Sequence, residues 1–234
     1  MTVTFDFSGQ VAVVTGSCGA LGSAVTEAFA EAGATVAACD VVPIDSEDSQ
    51  LDPADGIEFY RADFTDEPAV AETVDQIVAD HGRIDYLLPI AGTWRGGDPV
   101  EETDVDQFDM LFDVNLKTMF LASKHALPHL QDAEGAIVSV SARSALEGGT
   151  GDGLYRSTKA SVRIMTETIA EENLGTVRAN CVLPSVLNTP MNREMMTPSD
   201  EWVEPAEVAE VMQFLCSDAA AVTSGAAVPV YGEA

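Results

Sequence analysis

The stretch that decides the fold is Gln10-Val11-Ala12-Val13-Val14-Thr15-Gly16-Ser17-Cys18-Gly19-Ala20-Leu21-Gly22, running on to Ala32 and Gly33. Gln10–Thr15 is apolar and β-branched and reads as a buried strand. Ala20–Ala32 has helical spacing, and Gly33 stops it. Between them lies a glycine turn. A strand, a tight glycine turn and a helix, in that order, let the backbone come close to a pyrophosphate. The helix then offers the anion free N–H groups and the positive end of its dipole. Glycines also make ordinary turns; the strand before and the helix after raise the signal here.

Outward from that turn, short β-branched runs alternate with longer amphipathic stretches. Thr35–Cys39, Ile57–Arg61, Ile84–Ile90, Ala136–Val140, Thr176–Leu183 and Ala227–Tyr231 read as further strands. Glu67–His81 reads as a helix closed by Gly82, with Val70, Val74, Ile77 and Val78 at helical spacing. Thr103 to Leu130 is mostly helical, and its Thr103/Asp106 pair resembles a helix-entry cap. Leu154–Leu174 and Pro205–Cys216 are the remaining helices. The alternation predicts an α/β fold: a single-domain Rossmann-type doubly wound parallel sheet of about seven strands, with helices on both faces and right-handed crossovers. Such sheets bind ligands beyond the carboxyl ends of the strands, at the switch in strand order. The informative residues are therefore expected just after each strand. No repeat or separating linker interrupts the pattern, so residues 1–234 are read as one domain. Pro43–Gly56 reads as an exposed acidic loop.

The 234 residues carry 39 Asp and Glu against 11 Lys and Arg, a formal net charge of −28. The acids are spread through Asp45–Asp55, Asp63–Asp85, Glu101–Asp113 and Asp200–Glu210. Lys117, Lys124 and Lys159 are the only lysines. Such a surface repels nucleic-acid phosphate and anionic lipid, so neither nucleic acid nor a membrane is an expected partner. The composition is haloarchaeal in type. It suits a cytoplasmic, halophilic protein in salt that shortens the Debye length to about 3 Å at 1 M; a merely soluble acidic surface is the plainer alternative. Cys18, Cys39, Cys181 and Cys216 have no CxxC pairing and no ligand-like spacing, and read as free thiols in a reducing compartment. The N-terminus shows neither a basic region nor a signal-type apolar core. Phe7 to Thr26 is uncharged over a membrane-spanning length, but its glycines divide it into strand, turn and helix. His125 and His129 lie at i, i+4 without a third ligand, so no metal is expected.

Two further features carry chemistry. Asp40 ends the second strand, 18 residues past Gly22, near the roughly 20-residue offset of a ribose-binding acid. Its carboxylate would accept hydrogen bonds from both adenosine ribose hydroxyls and repel a 2′-phosphate, which favours NAD(H) over NADP(H). Tyr155 and Lys159 stand at i and i+4 on one helix face. A nearby ammonium stabilises a phenolate and is expected to lower the Tyr pKa toward neutrality, as proton transfer requires.

These residues together resemble the short-chain dehydrogenase/reductase family over essentially the whole chain. Its opening motif, T-G-x-x-x-G-x-G, is matched by Thr15, Gly16 and Gly22, with Ala20 in place of the middle glycine and Gly19 beside it. The resemblance implies an NAD-dependent oxidoreductase acting on a small-molecule substrate, with Tyr155, Lys159 and Asn115 catalytic. Tyr155 would exchange the proton, Lys159 would also hold the nicotinamide ribose, and Asn115 would hold a water. It implies cofactor contacts from Gly16, Ser17, Ala20, Leu21, Gly22, Asp40, Asp63, Phe64, Ala91, Gly92, Tyr155, Lys159, Pro184, Val186 and Thr189. Asp63 would touch adenine and Thr189 the carboxamide. Leu187–Val203 would form a lid, with Met191 on its apolar side. A homodimer or homotetramer, built through the long helices, is also implied.

One position departs from the pattern. The family's carbonyl-polarising Ser falls on Ala142. Ser141 or Ser144 would supply a hydroxyl only after a shift of the loop; otherwise Tyr155 bonds the substrate oxygen alone. Ala142-Arg143-Ser144-Ala145-Leu146, Asp40-Val41-Val42 and the Trp94 segment resemble the quinonoid dihydropteridine reductases. That branch uses NADH and stacks a flat ring where Trp94 falls. A conjugated acceptor needs less polarisation, which would make Ala142 tolerable. A non-catalytic dinucleotide-binding sensor on the same fold is the rival from another class.

Overall fold

The computed structural model describes residues 4–232. Seven strands form one all-parallel sheet: β1 (Val11–Thr15), β2 (Thr35–Asp40), β3 (Ile57–Arg61), β4 (Tyr86–Pro89), β5 (Ala136–Val140), β6 (Arg178–Pro184) and β7 (Ala227–Val230). Their order is β3-β2-β1-β4-β5-β6-β7. The helices are α1 (Ala20–Glu31), α2 (Glu67–His81), α3 (Val105–Phe112), α4 (Thr118–Ala133), α5 (Gly153–Glu172), α6 (Pro190–Met195) and α7 (Pro205–Cys216). The chain winds from β1 out to β3, then returns to lay β4 on the other side of β1. Successive loops therefore leave in opposite directions between β1 and β4, and a crevice opens there.

The period-two geometry of a strand explains why both faces are apolar. In β1, Ala12 and Val14 join one buried cluster with Val25 and Phe29 of α1 and Val208 and Met212 of α7. Val11 and Val13 join the other, with Val74 of α2, Leu130 of α4 and Ile169 of α5. Phe7 stacks on Phe29 at 4.9 Å and meets Tyr86 edge-on at 5.3 Å. Each fully buried Val, Leu, Ile or Phe contributes roughly 1.5–3 kcal/mol. One charge lies within the sheet's amino-terminal edge. Asp85 is 2% exposed, accepts the Val11 N–H at 2.8 Å and is paired with Arg83. The pairing removes the penalty of a lone buried carboxylate.

Local chemistry sets the helix ends. The Asp66 carboxylate accepts the Ala69 N–H at the start of α2, and Gly82 closes it at φ +78°. Glu204 and Glu207 form a reciprocal capping box on α7. Arg178 of β6 donates to the carbonyls of Leu215 and Cys216, satisfying the other end of α7.

The helical stretch read as 103–130 is built differently. Thr103 is not a cap; its hydroxyl donates to the Pro99 carbonyl and closes a short turn at Val100–Glu102. The helix begins at Val105 after Asp104, with no side-chain cap. It then widens to a π-helical turn at Asp113–Lys117 before continuing as α4 through Pro128 to Ala133. The Pro43–Gly56 stretch has no regular structure, but Leu51 is buried within it. All four cysteines are free and buried. Among the described residues no helix is long and apolar enough to cross a membrane, and no group of side chains is arranged to hold a metal.

Candidate active site

A cavity of about 1110 Å³ lies over the carboxyl ends of the strands at the β1/β4 switch. Its first wall is the turn between β1 and α1. Gly16 has φ +69°, and a Cβ there would lie 2.7 Å from the Cα of Ala91. A Cβ on Gly22 would lie 1.9 Å from the Gly16 carbonyl oxygen. Both glycines are thus required by close approach of backbone to backbone. No side chain caps α1 at Gly19, and its first turn holds no acid. The N-terminal N–H groups and the dipole are left for an anion. Ala20 lines the same wall, its methyl taking the place of the family's middle glycine.

Asp40 closes β2 at one end of the cavity. One carboxylate oxygen accepts the Cys18 N–H and the other the Val42 N–H, both at 2.9 Å. The carboxylate is thereby oriented, and each oxygen keeps a lone pair for a ligand hydroxyl. Gln50 of the acidic loop donates its N–H to the Cys18 carbonyl at 2.8 Å, docking that loop beside Asp40.

Tyr155 and Lys159 rise from the first two turns of α5 at the other end. Lys159 is 6% exposed, and its Nζ donates to the Val140 carbonyl at 3.0 Å. Burial pushes its pKa down to about 8. The expectation of a lowered Tyr155 pKa is corrected here. Burial first, then the Asp152 carboxylate, push Tyr155 up to about 12. The Lys159 ammonium is anchored on the Val140 carbonyl and is not among the groups that shift Tyr155.

Asn115 lies within the π-helical turn and is 1% exposed. Its Oδ1 accepts the Thr93 N–H at 2.7 Å, and its Nδ2 donates to the Thr93 carbonyl at 3.0 Å and to Thr158 Oγ1 at 3.1 Å. It therefore ties the loop carrying Trp94 to α5. A Cβ on Gly92 would lie 3.1 Å from Lys159 Nζ and 3.2 Å from Asn115 Oδ1, so both groups flank one spot.

The structure brings Gly16, Ala20, Leu21, Gly22, Asp40, Ala91, Gly92, Tyr155, Lys159, Pro184, Val186 and Thr189 to this one cavity, with Trp94, Ser141 and Met191. Ser17, Asp63, Phe64 and Asn115 are not on its wall. Ser17 is buried beneath the turn, and Phe64 packs in the core. Asp63 is turned to its own chain: one oxygen accepts the Thr65 N–H at 2.8 Å and the Thr65 hydroxyl at 2.7 Å. Those bonds hold its pKa below the usual carboxylate range. Thr189 caps α6, its hydroxyl accepting the Asn192 N–H. Ser141 Oγ donates to the Lys159 carbonyl at 2.7 Å, so its proton is committed. Trp94 and Met191 are exposed at the rim, at 41% and 53%.

Sequence reading passed over several wall residues. Trp202 reaches the cavity from the lid segment, and Asp48 from the acidic loop. Arg156 and Thr158 were overlooked between Tyr155 and Lys159, although every side chain in that first helical turn lies near the motif.

The doubly wound sheet and the glycine-walled cavity at its switch point define the class. A family model described as enoyl-(acyl carrier protein) reductase matches residues 16–232. A 3-oxoacyl-(acyl-carrier-protein) reductase of Thermotoga maritima is 32% identical over 96% of this chain and 97% of its own. A meso-2,3-butanediol dehydrogenase of Serratia marcescens is 34% identical over 97% and 95%. The crystal structure of a 3-ketoacyl-(acyl-carrier-protein) reductase from Brucella melitensis, complexed with NADH, superposes with a TM-score of 0.89 at 25% identity, covering 96% of this chain and 98% of the other. The chain belongs to the short-chain dehydrogenase/reductase family of oxidoreductases.

Proposed function

We propose that this chain is an NAD(H)-dependent oxidoreductase acting on a small carbonyl or alcohol, with Tyr155 exchanging the proton. One observation carries the reading. A single cavity holds the Gly16–Gly22 turn with the open end of α1, and is also lined by Tyr155 and Lys159. The turn fits a dinucleotide pyrophosphate, because no side chain caps α1 there and its N-terminal N–H groups are left for an anion beside the cavity. When bound, the nicotinamide supplies or accepts the hydride.

The chain's own residues orient and exchange charge. Asp40 accepts the ribose hydroxyls and opposes a 2′-phosphate, favouring NAD(H) over NADP(H). Tyr155 gives its proton to the substrate oxygen during reduction and takes it back during oxidation. Lys159 holds the nicotinamide ribose and stabilises the phenolate that remains. Asn115 keeps the Thr93–Trp94 loop in place and positions a water on the proton path. The exposed Trp94 ring and the methyl of Ala142, both lining this cavity, favour a second reading, in which the acceptor is a flat conjugated ring of dihydropterin type. The acidic surface supports a halophilic, cytoplasmic setting without nucleic acid or membrane as partner. Exposed Phe120 on α4 and Ile164 on α5 support a homodimer or homotetramer.

The test follows NADH absorbance in multimolar KCl across dihydropterins, quinones, 3-oxoacyl esters, sugars and secondary alcohols, with NADPH in parallel. Tyr155→Phe is expected to lower kcat by about a thousandfold or more while the NADH Kd stays within about threefold. A variant that turns over like the wild type refutes the role of Tyr155. Tight NADH binding with no wild-type turnover on any substrate supports a non-catalytic binding module instead.

A further inference from the structure

The loop between β5 and α5 presents a methyl, at Ala142, where the resemblance expects a hydroxyl. As hydride reaches a carbonyl carbon, negative charge builds on the oxygen, and one fixed donor there is typically worth about 10²–10³ in rate. We propose that Ser144 supplies this donor, held in position by Arg156. The proposal rests on the oxidoreductase reading and names a second residue at its reacting end.

Three observations converge. Ser141, the nearer alternative, is 2% exposed and gives its one proton to the Lys159 carbonyl. Ser144 is half-buried on the cavity wall that also holds Tyr155, and its hydroxyl makes no hydrogen bond within the described residues. Its proton is therefore available to whatever occupies the cavity. Third, the backbone at Ser144 is clamped. Arg156 Nη1 donates to the carbonyls of Ser144 and Glu147, both at 3.1 Å, and its Nε donates to Asp152 at 2.6 Å. A Cβ on Gly149 would lie 2.2 Å from the guanidinium carbon, so the loop is shaped around that side chain.

The arrangement has a mechanical logic. Arg156 follows Tyr155 directly on α5, so one helix turn carries the proton donor and the clamp of the second donor. A five-donor planar guanidinium can bridge two carbonyls and a carboxylate together; a lysine cannot match that fork. The hydroxyl has moved two residues along the loop, and Arg156 removes the loop freedom that such a move would otherwise leave. The oxygen of a simple ketone then receives hydrogen bonds from Tyr155 and Ser144.

The experiment uses the full chain in multimolar KCl, with ethyl 3-oxobutanoate and 9,10-phenanthrenequinone as probes and NADH as reductant. Ser144→Ala is expected to lower kcat on the ketoester by about 100-fold, with the NADH Kd, read by fluorescence, unchanged within about twofold. Ala142→Ser added to Ser144→Ala restores kcat to within about fivefold of wild type, because the hydroxyl returns by another route. Arg156→Gln lowers kcat in the wild type and adds less than about twofold in the Ser144→Ala background, the non-additivity expected of one unit. A Ser144→Ala enzyme within about threefold of wild type overturns the assignment, as does failure of Ala142→Ser to restore activity. Equal damage from Arg156→Gln in both backgrounds overturns its positioning role. Wild-type inactivity on both probes, with NADH still bound, overturns the oxidoreductase reading on these carbonyls and the proposal with it.

Discussion

Gly22→Ala puts the glycine turn to its sharpest test. The added Cβ would lie 1.9 Å from the Gly16 oxygen, 2.6 Å from the Gly16 carbonyl carbon and 2.9 Å from Ser17 Cα. Carbon and oxygen ordinarily meet no closer than about 3.3 Å. More than about 1 Å must therefore open between the turn and α1, and every obstructing atom is backbone. Overpacking of this kind costs about 1–3 kcal/mol or more. Near 3 kcal/mol, the thermal midpoint of a chain of this size falls by roughly 6–12 °C. Displacing the anion-facing N–H groups by about 1 Å is expected to weaken NADH binding about 100-fold. Gly82→Ala is the control. Gly82 has φ +78° with nothing within 4 Å of its added Cβ, so only backbone strain of about 1–2 kcal/mol applies. Thermal melts and NADH fluorescence titrations on both variants separate strain from blockage. If Gly22→Ala binds NADH within about threefold of Gly82→Ala, the turn is not where the cofactor rests.

Lys159→Met is expected to be more stable than wild type at pH 7, with an advantage that shrinks by pH 10. Lys159 has a folded pKa of about 8 against an ordinary 10.5; the penalty of its buried charge is full below the lower value and fades between the two, since the unfolded chain then holds more protons. That penalty is roughly 3 kcal/mol at most, and an advantage constant with pH in thermal melts refutes it. Tyr155 carries the opposite sign, since its raised pKa adds stability that is lost only above pH 10. Asp40→Ala is expected to narrow the NADH-over-NADPH ratio of Kd by about tenfold, equivalent to about 1.4 kcal/mol; an unchanged ratio removes Asp40 from the ribose site. With a net charge of −28, the melting temperature is expected to rise by about 10 °C or more between dilute and multimolar KCl as self-repulsion is screened, and a flat or falling curve excludes salt adaptation.

What the sequence made legible follows from periodicity. Ile57–Arg61, Glu67–His81, Ala136–Val140 and Pro205–Cys216 fold over the ranges their spacing predicts, because a buried parallel strand and an amphipathic helix leave distinct patterns. The Asp40, Tyr155 and Lys159 positions were legible because strand ends and an i, i+4 pair place them in the crevice. Other features depend on distant partners. The π-helical turn around Asn115 leaves no spacing signal, since one extra residue disturbs an otherwise regular helix. Pro128 sits at an exposed position, and α4 passes through it unbroken. The fate of the Ser141 proton was set by the Lys159 carbonyl, 18 residues away in the chain. The Tyr155 pKa depended on burial, which no motif states.

The strand order carries a consequence for how the chain comes to be folded. No hairpin joins any two neighbours in the sheet; Ala12 aligns with Tyr86, and Ala136 with Arg178. Every ladder must close a long loop before its hydrogen bonds reward the entropy spent. On the ribosome, β1 through β3 emerge with the β1 edge bare until β4 arrives, and the wall built by Pro184–Thr189 comes later still. Slow assembly of this kind exposes apolar strand edges, which invite pairing with other chains. The dense negative charge of this chain repels its own copies during that interval. Charge spread through the whole sequence thus acts on the unfinished chain as well as on the folded one.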